Sequence, residues 1–175
     1  MMKKFLAGCT LLLLSPATMV FSQQGKLISF ELKDQFGREF SHEDFSGYVL
    51  VLVGSDKGGS TYNPLWAGAI HDSLTSHDQF DALRFIGVSD LRGVPFFLKG
   101  FVRSKFPKAK ERWVLMDWKG IFPKAYQFEE NHCNLLIFKR DGTLAYQTSV
   151  QDLVPDKMRV ILTKLRSLLQ ADDPS

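Results

Sequence analysis

The chain has 175 residues, of which 45% are apolar and 23% are charged, and its 22 basic and 19 acidic side chains give a net charge of +3. This length is sufficient to bury one substantial hydrophobic core, so we expect a single domain. The nearly balanced charge excludes a strongly basic protein, and it gives no reason to expect nucleic acid or an anionic membrane as a partner.

Residues 1–22 have the layout of a secretory signal peptide. Lys3 and Lys4 form a short positive segment, residues 5–21 form an apolar run, and Gln23 follows a small residue. The run is interrupted and lacks the roughly 20 unbroken apolar residues of a membrane-spanning helix. We therefore predict that residues 1–22 are removed on export. This leaves a periplasmic or secreted domain of residues 23–175, without stable membrane insertion.

The two cysteines fall on opposite sides of the predicted cleavage point. Cys9 lies in the signal segment and Cys133 lies in the domain, so no intrachain disulfide can form in the exported protein. Residues 6–9 also resemble a lipoprotein signal, which would leave Cys9 acylated. The apolar stretch follows Cys9 instead of preceding it, and this order favours a chance match.

The domain opens with a hairpin, a helical turn and a central strand. Residues 27–32 alternate apolar and polar side chains, and residues 39–40 resume after a turn, which predicts a small hairpin. Residues 41–45 predict a single helical turn. Residues 48–53 are continuously apolar and rich in valine, a pattern typical of a central strand that is covered on both faces.

A polar, glycine-rich loop of residues 55–61 follows the central strand. In open α/β sheets the carboxyl ends of the strands are where ligands usually bind. Asn63 as N-cap and Pro64 at the first helical position predict a helix after this loop. Its apolar stripe contains Leu65, Trp66, Ala69, Ile70 and Leu74.

The alternation of strand and helix then continues. Residues 83–88 and 113–116 predict two further strands, with a helix between them. Four phenylalanines of that connection are expected to line the core or a groove, and to mark a protein-binding surface if several are exposed together. They are Phe96, Phe97, Phe101 and Phe106.

The chain closes with a second hairpin and a helix. Residues 135–138 and 143–149 flank the turn at Asp141-Gly142, which is a hairpin signal, and Pro155 opens an amphipathic helix. The whole order predicts an α/β domain with a mixed sheet.

Several segments resemble one known family. Residues 30–40 resemble the opening F-x-L-x-D-x-x-G of the redoxin branch of the thioredoxin-like superfamily, which includes the peroxiredoxins and the exported TlpA-type thiol oxidoreductases. Residues 114–120 with 124–126, and residues 135–142, resemble later motifs of that branch. Residues 101–104 are similar to the small periplasmic YtfJ-type subgroup. The resemblance implies a thioredoxin-like α/β/α sandwich with a central mixed sheet and an N-terminal β-hairpin.

Active members of this branch carry a cysteine pair or a peroxidatic cysteine in the loop after the central strand, where Gly58 and Thr61 stand in this chain. A thiolate at a helix N-terminus is the nucleophile in those proteins. A serine or threonine hydroxyl would need a neighbouring base such as His71. We therefore predict a degenerate active site. Its loop is expected to bind through Ser55, Gly58, Gly59, Ser60 and Thr61.

By the same resemblance, Cys133 stands at or next to the position of the family's cis-proline, with His132 beside it. Cys133 is either a lone reactive thiol at the edge of the groove or a buried cysteine acting as a small apolar residue, and the second interpretation is favoured. His132 and Cys133, with Glu129 or Glu130, provide only half of a four-ligand zinc site, so we expect no metal and no cofactor.

The sequence therefore predicts a non-catalytic, exported thioredoxin-fold protein that binds a protein or peptide through its degenerate loop and the segment around Cys133. The alternative is a redoxin-type thiol oxidoreductase or peroxidase that uses Cys133 alone with an external resolving thiol. The mostly basic residues 105–112 could contact an acidic partner, although a solvated linker is the more ordinary interpretation.

Overall fold

A computed structural model describes residues 25–171. The predicted signal peptide and Cys9 lie outside the described residues, as do residues 172–175. Within residues 25–171 the chain forms a two-stranded hairpin and a five-stranded sheet covered by helices. In this range no helix is long and apolar enough to cross a membrane.

The predicted N-terminal hairpin is present. Strand β1 (Glu31–Lys33) pairs antiparallel with β2 (Glu39–Ser41). The turn between them contains Gly37 with a φ of +86°, a conformation that glycine adopts without steric cost. A 3₁₀ turn at His42–Phe45 follows, and its capping box joins Ser41 to Asp44.

The five-stranded sheet is mixed, as predicted. Its central strand β3 (Val49–Ser55) runs parallel to β4 (Leu83–Asp90), which in turn runs parallel to β5 (Leu115–Asp117). On the other side, β6 (Cys133–Phe138) pairs antiparallel with β3, and β7 (Leu144–Val150) pairs antiparallel with β6. The order across the sheet is β5-β4-β3-β6-β7.

Helices cover both faces of this sheet. Helices α1 (Asn63–Leu74) and α4 (Pro155–Gln170) share one core with the sheet, and α3 (Ile121–Tyr126) shares the opposite core with the hairpin region. Every residue of β3 is buried because both of its faces are covered, which explains its continuous apolar sequence. The predicted three-layer α/β/α arrangement is therefore confirmed.

The connection between β4 and β5 differs from the prediction. Its helix α2 (Lys99–Ser104) has six residues, none of which is buried, and a 3₁₀ turn precedes it. Phe96 and Phe97 are exposed, so the expectation that they line the core or a groove was wrong. The physical reason is that so short a helix makes no fully buried contact with the sheet. A groove stays open between α2 and α1, and Phe101 and Phe106 line it.

The start of α1 also differs in detail. The N-cap position is occupied by Tyr62, whose side chain makes no capping hydrogen bond, and Asn63 is already helical. The amide of Asn63 donates instead to the Ser55 hydroxyl at 2.8 Å. Asn63 therefore links the helix to the end of β3, and the prediction that it is the N-cap was wrong. Pro64 does occupy the first turn.

Candidate functional site: the loop after the central strand

Two chain segments meet at the end of β3. The loop of residues 55–61 leaves this strand, and residues 129–132 lead into its antiparallel neighbour β6, with Gly54 opposite Asn134. Gly59 lies so close to the backbone of His132 that a Cβ atom there would overlap it, and a Cβ on Gly58 would overlap the side chain of Asn131. Gly58 and Gly59 thus allow the two segments to lie closer together than any residue with a side chain would permit.

Asp56 joins the two segments. Its carboxylate accepts the backbone N–H of Gly59 at 2.8 Å and the backbone N–H of Asn131 at 3.1 and 3.2 Å. Asn131 has a φ of +60°, and asparagine adopts this left-handed region more readily than most residues. Hydrogen bonds to an ionised acceptor are stronger than neutral ones, so this side chain fixes the spacing between the segments.

Asn134 holds the second segment from inside the sheet. This fully buried side chain donates to the carbonyl oxygens of Gly54, Glu129 and His132 at 3.3, 3.0 and 3.2 Å. Its Oδ1 accepts the Glu129 N–H and the Ser149 hydroxyl, each at 2.8 Å. Sequence reasoning missed both Asp56 and Asn134. The signal was available for Asn134, which is a polar residue within the otherwise apolar strand β6.

Cys133 is not accessible in this arrangement. Its side chain is fully buried in the core beneath α1 and α4. Burial raises the pKa of its thiol from an ordinary value of 9.0 to about 12, so the thiol is protonated near neutral pH. The structure thus places Cys133 as a small apolar residue at the start of β6, and the hypothesis of a lone reactive thiol does not fit its burial.

His132 is engaged with its own segment. Its Nδ1 lies 2.8 Å from the Glu130 carbonyl oxygen, and its Nε2 lies 3.5 Å from Oε1 of Glu129. Among residues 25–171, no three histidine, cysteine, aspartate or glutamate side chains are grouped so that they could hold a metal ion.

Two of the hydroxyls of loop 55–61 have hydrogen-bond partners. Ser55 is buried and accepts the Asn63 amide, and the Ser60 hydroxyl donates to the Lys57 carbonyl at 2.7 Å. Thr61 lies exposed in the turn before α1. His71, considered as a base for these hydroxyls, contacts Asp72 at 3.1 Å and packs edge-on against Phe80. The hydroxyls of Ser55 and Ser60 are thus engaged by neighbouring residues of the loop and of α1.

A groove with a volume of about 1460 Å³ begins at this loop. Pro64, Ala67, Gly68 and His71, which share one side of α1, form one wall. Strand β4 forms the floor, and α2 with the residues that follow it forms the opposite wall. Arg92 and Asp90 lie along the groove and pair at 2.7 Å, and this hydrogen bond raises the pKa of the Arg92 guanidinium above its ordinary value. Apolar and charged side chains both line this groove.

Known proteins resemble this chain in three-dimensional structure, whereas sequence comparison finds no relative. No family model matches the sequence, and the comparison with curated proteins found no match. The structure of the pneumococcal exposed lipoprotein thioredoxin from Streptococcus pneumoniae superposes with a TM-score of 0.58 at 17% identity, covering 81% of this chain and 100% of that chain.

Two further solved structures have a fold similar to that of this protein. A Chlorobium tepidum protein provisionally named thiol:disulfide interchange protein DsbE gives a TM-score of 0.58 at 16% identity, covering 82% of this chain and 95% of that chain. A SCO1/SenC family lipoprotein from Bacillus anthracis gives 0.57 at 13% identity, with coverage of 86% and 99%. Likeness at such identities establishes architecture and leaves activity open. The protein has the thioredoxin-like fold, as the sequence predicted.

Proposed function

We propose that this protein is an exported, non-catalytic member of its fold class that binds another protein or a peptide. The ligand occupies the groove between α1 and α2, next to the degenerate loop of residues 55–61. The observation that carries the proposal is the groove itself, which begins where thiol chemistry would be expected and presents no thiol there.

The burial of Cys133 argues against the oxidoreductase alternative. The thiolate is the nucleophile in disulfide exchange and in peroxide reduction, and it must reach its substrate. Cys133 is fully buried and its pKa is raised to about 12. Its thiol is therefore neither ionised near neutral pH nor accessible to a substrate. Gly58 and Thr61, at the positions of the family's cysteines, supply no nucleophilic sulfur.

The groove is held in shape before any ligand arrives. Asp56 and Asn134 fix the loop and the facing segment through hydrogen bonds to main-chain groups. A preformed site lowers the entropy cost of binding. Export is supported by the layout of residues 1–22, and it agrees with the description of two similar structures as lipoproteins.

Gly68 offers a direct way to test the groove. It lies in α1 on the groove wall, and a Cβ atom there would meet no heavy atom within 4 Å. A Gly68→Phe substitution would therefore place a ring on the groove wall. Val160 on α4 is 50% exposed and outside the groove, so Val160→Phe is the matched control.

The experiment selects peptide ligands from a displayed library with the wild-type chain and measures each affinity by fluorescence anisotropy. Filling the groove should weaken binding by about tenfold or more, which corresponds to a loss of at least one substantial apolar contact. Val160→Phe and Cys133→Ala should bind as the wild type does. Peptides that bind Gly68→Phe with unchanged affinity would overturn the proposed site.

Enzyme assays test the alternative function, a thiol oxidoreductase or peroxidase that uses Cys133. Peroxide consumption and disulfide reduction are measured with the wild type and with Cys133→Ala. Equal, negligible rates support the binding function. A rate that depends on Cys133 would reinstate the one-cysteine oxidoreductase.

A further inference from the structure

A cluster of exposed aromatic side chains projects from the connection between β4 and β5. We call Phe96, Phe97, Leu98 and Phe101 the aromatic tip. Their exposed fractions are 83%, 70%, 40% and 61%, and the rings of Phe96 and Phe97 contact each other edge-on at 5.8 Å between centroids. Adjacent exposed apolar side chains of this size mark an interaction surface.

A basic stretch of the chain begins at this tip. Residues 99–112, here called the basic segment, contain six basic side chains and one acidic side chain, whereas the whole chain has a net charge of only +3. The positive charge is therefore concentrated here. The ammonium of Lys105 lies 4.7 Å from the centroid of the Phe101 ring, which places charge and apolar surface side by side.

The hairpin turn holds the basic segment in place. The Gln35 amide donates to the carbonyl of Arg112 at 2.9 Å, and its oxygen accepts the Val114 N–H at 2.8 Å. The Arg38 guanidinium donates to the Lys110 carbonyl at 3.2 Å. These bonds engage the main chain of the segment. The side chains of Lys105, Lys108, Lys110 and Arg112 are exposed.

The position of the tip distinguishes among kinds of partner. Phe101 lines the groove as well, but Phe96 and Phe97 do not, so a peptide bound in the groove would leave the rings of Phe96 and Phe97 in water. A bilayer interface presents apolar acyl chains directly beneath charged headgroups. Exposed rings with a lysine against one of them, followed by an exposed basic segment, match that order of layers when the headgroups are anionic.

We propose that the aromatic tip and the basic segment form a peripheral docking surface for anionic lipid bilayers. The rings enter the headgroup boundary, and the lysines and arginines contact lipid phosphates. This docking requires no membrane-spanning segment. The sequence analysis gave no reason to expect an anionic membrane because it considered the net charge, which conceals the concentration of basic residues at one place.

The test is co-sedimentation of the chain with vesicles of phosphatidylglycerol and phosphatidylcholine in equal parts, compared with pure phosphatidylcholine. All variants are expressed from the full-length sequence, so any contribution of residues 1–24 is common to them. The wild type should bind the anionic vesicles and should lose affinity as salt is added.

Two substitutions probe the two halves of the surface. The double variant Phe96→Ser with Phe97→Ser should bind about tenfold more weakly, because two rings no longer leave water. Lys108→Gln with Lys110→Gln should lose about fivefold for each lysine removed. The matched controls are Val160→Ser and Lys164→Gln on α4, which remove an exposed apolar side chain and an exposed charge elsewhere and should bind as the wild type does.

The remaining outcomes would overturn the proposal or assign the aromatic tip to a different partner. Binding to both vesicle types alike, or equal binding by tip and control variants, would overturn the proposal. Loss of self-association in the Phe96→Ser, Phe97→Ser variant without any vesicle binding would assign the tip to a second copy of this chain. Tip-dependent binding to an acidic peptide without vesicle binding would assign it to a protein. Gly68→Phe should leave vesicle binding unchanged, so this proposal and the groove proposal fail independently.

Discussion

The Asp56 carboxylate accepts the backbone N–H of Asn131 at 3.1 Å, and this contact joins the loop after β3 to the segment before β6. The same carboxylate accepts the Gly59 N–H at 2.8 Å. One side chain thus fixes the spacing between the loop that leaves the central strand and the segment that enters its antiparallel neighbour. Neither segment carries a thiol that faces the other, because the only cysteine in the described residues, Cys133, is buried in the core.

Replacing Asp56 tests how much this link contributes. We expect Asp56→Ala to lower the free energy of unfolding by about 1–3 kcal/mol, because two main-chain N–H groups lose a charged acceptor. Denaturant unfolding measures the change, and hydrogen exchange at Gly59 and Asn131 localises it. Asp72 is largely exposed, so Asp72→Ala is the control and should change stability by less than about 0.5 kcal/mol. Equal stabilities of the two variants would contradict the assignment.

Gly59 should tolerate no side chain. A Cβ atom there would overlap the backbone of His132, which cannot rotate away, so Gly59→Ala should destabilise the protein by about 1–3 kcal/mol. Gly58→Ala should cost less, because the atom it meets ends the movable side chain of Asn131. Gly100 in α2 has open space around it, and Gly100→Ala should stabilise by up to about 1 kcal/mol. Thermal unfolding of the three variants measures this order, and a neutral Gly59→Ala would contradict it.

Local patterns were sufficient to predict most of the fold. The continuous apolar sequence of β3 predicts a strand covered on both faces, and the Asp-Gly turn predicts the pairing of β6 with β7. The periodicity of α4 predicts its buried face. Each of these features depends on neighbours in sequence, and for that reason a single sequence reveals them.

The candidate site was predictable only in outline. The hydrogen bonds of Asp56 and Asn134 connect residues that are far apart in the chain, and no local pattern specifies such partners. For Phe96 and Phe97 a prediction was made from the sequence, and it was wrong. Their apolar character predicted burial, but both rings are exposed and the short helix α2 that follows them has no buried residue. Burial depends on what packs above a segment, which hydrophobicity alone does not encode.

Removing the buried amide of Asn134 should be among the most damaging changes at this site. Asn134→Leu leaves three carbonyl acceptors, the Glu129 N–H and the Ser149 hydroxyl without their partner. Unsatisfied buried groups cost about 1–3 kcal/mol each, so we expect a loss of at least about 3 kcal/mol in denaturant unfolding. Ser149→Ala removes only one of these bonds and should cost about 1 kcal/mol. A cost for Asn134→Leu no greater than that of Ser149→Ala would show that the amide is dispensable.

Cys133 should resist alkylation in the native protein. A maleimide reacts with the thiolate, and the buried thiol of Cys133 is protonated and shielded from the reagent. We expect modification only after denaturant is added, as measured by mass spectrometry. The control is an exposed thiol introduced on α4 by Val160→Cys in a Cys133→Ala background, which should react rapidly without denaturant. Comparable rates for the two thiols would contradict the burial of Cys133.

The same thiol should make stability fall at alkaline pH. Burial raises the pKa of Cys133 from 9.0 to about 12, so between these values the unfolded chain releases a proton that the native protein retains. The stabilisation is therefore complete below pH 9 and decreases above it, by up to about 1.4 kcal/mol for each pH unit. Tyr126 has its pKa raised from 10.0 to about 12 by burial, so its effect on stability has the same sign but begins about one pH unit higher.

Denaturant unfolding between pH 9 and 10 isolates the contribution of the thiol. Cys133→Ala should flatten the fall of the free energy of unfolding with pH in this range, while Tyr126→Phe should leave it nearly unchanged. If Cys133→Ala kept the wild-type slope, the thiol would have to ionise as readily in the native protein as in the unfolded chain, and its burial at the start of β6 would be refuted.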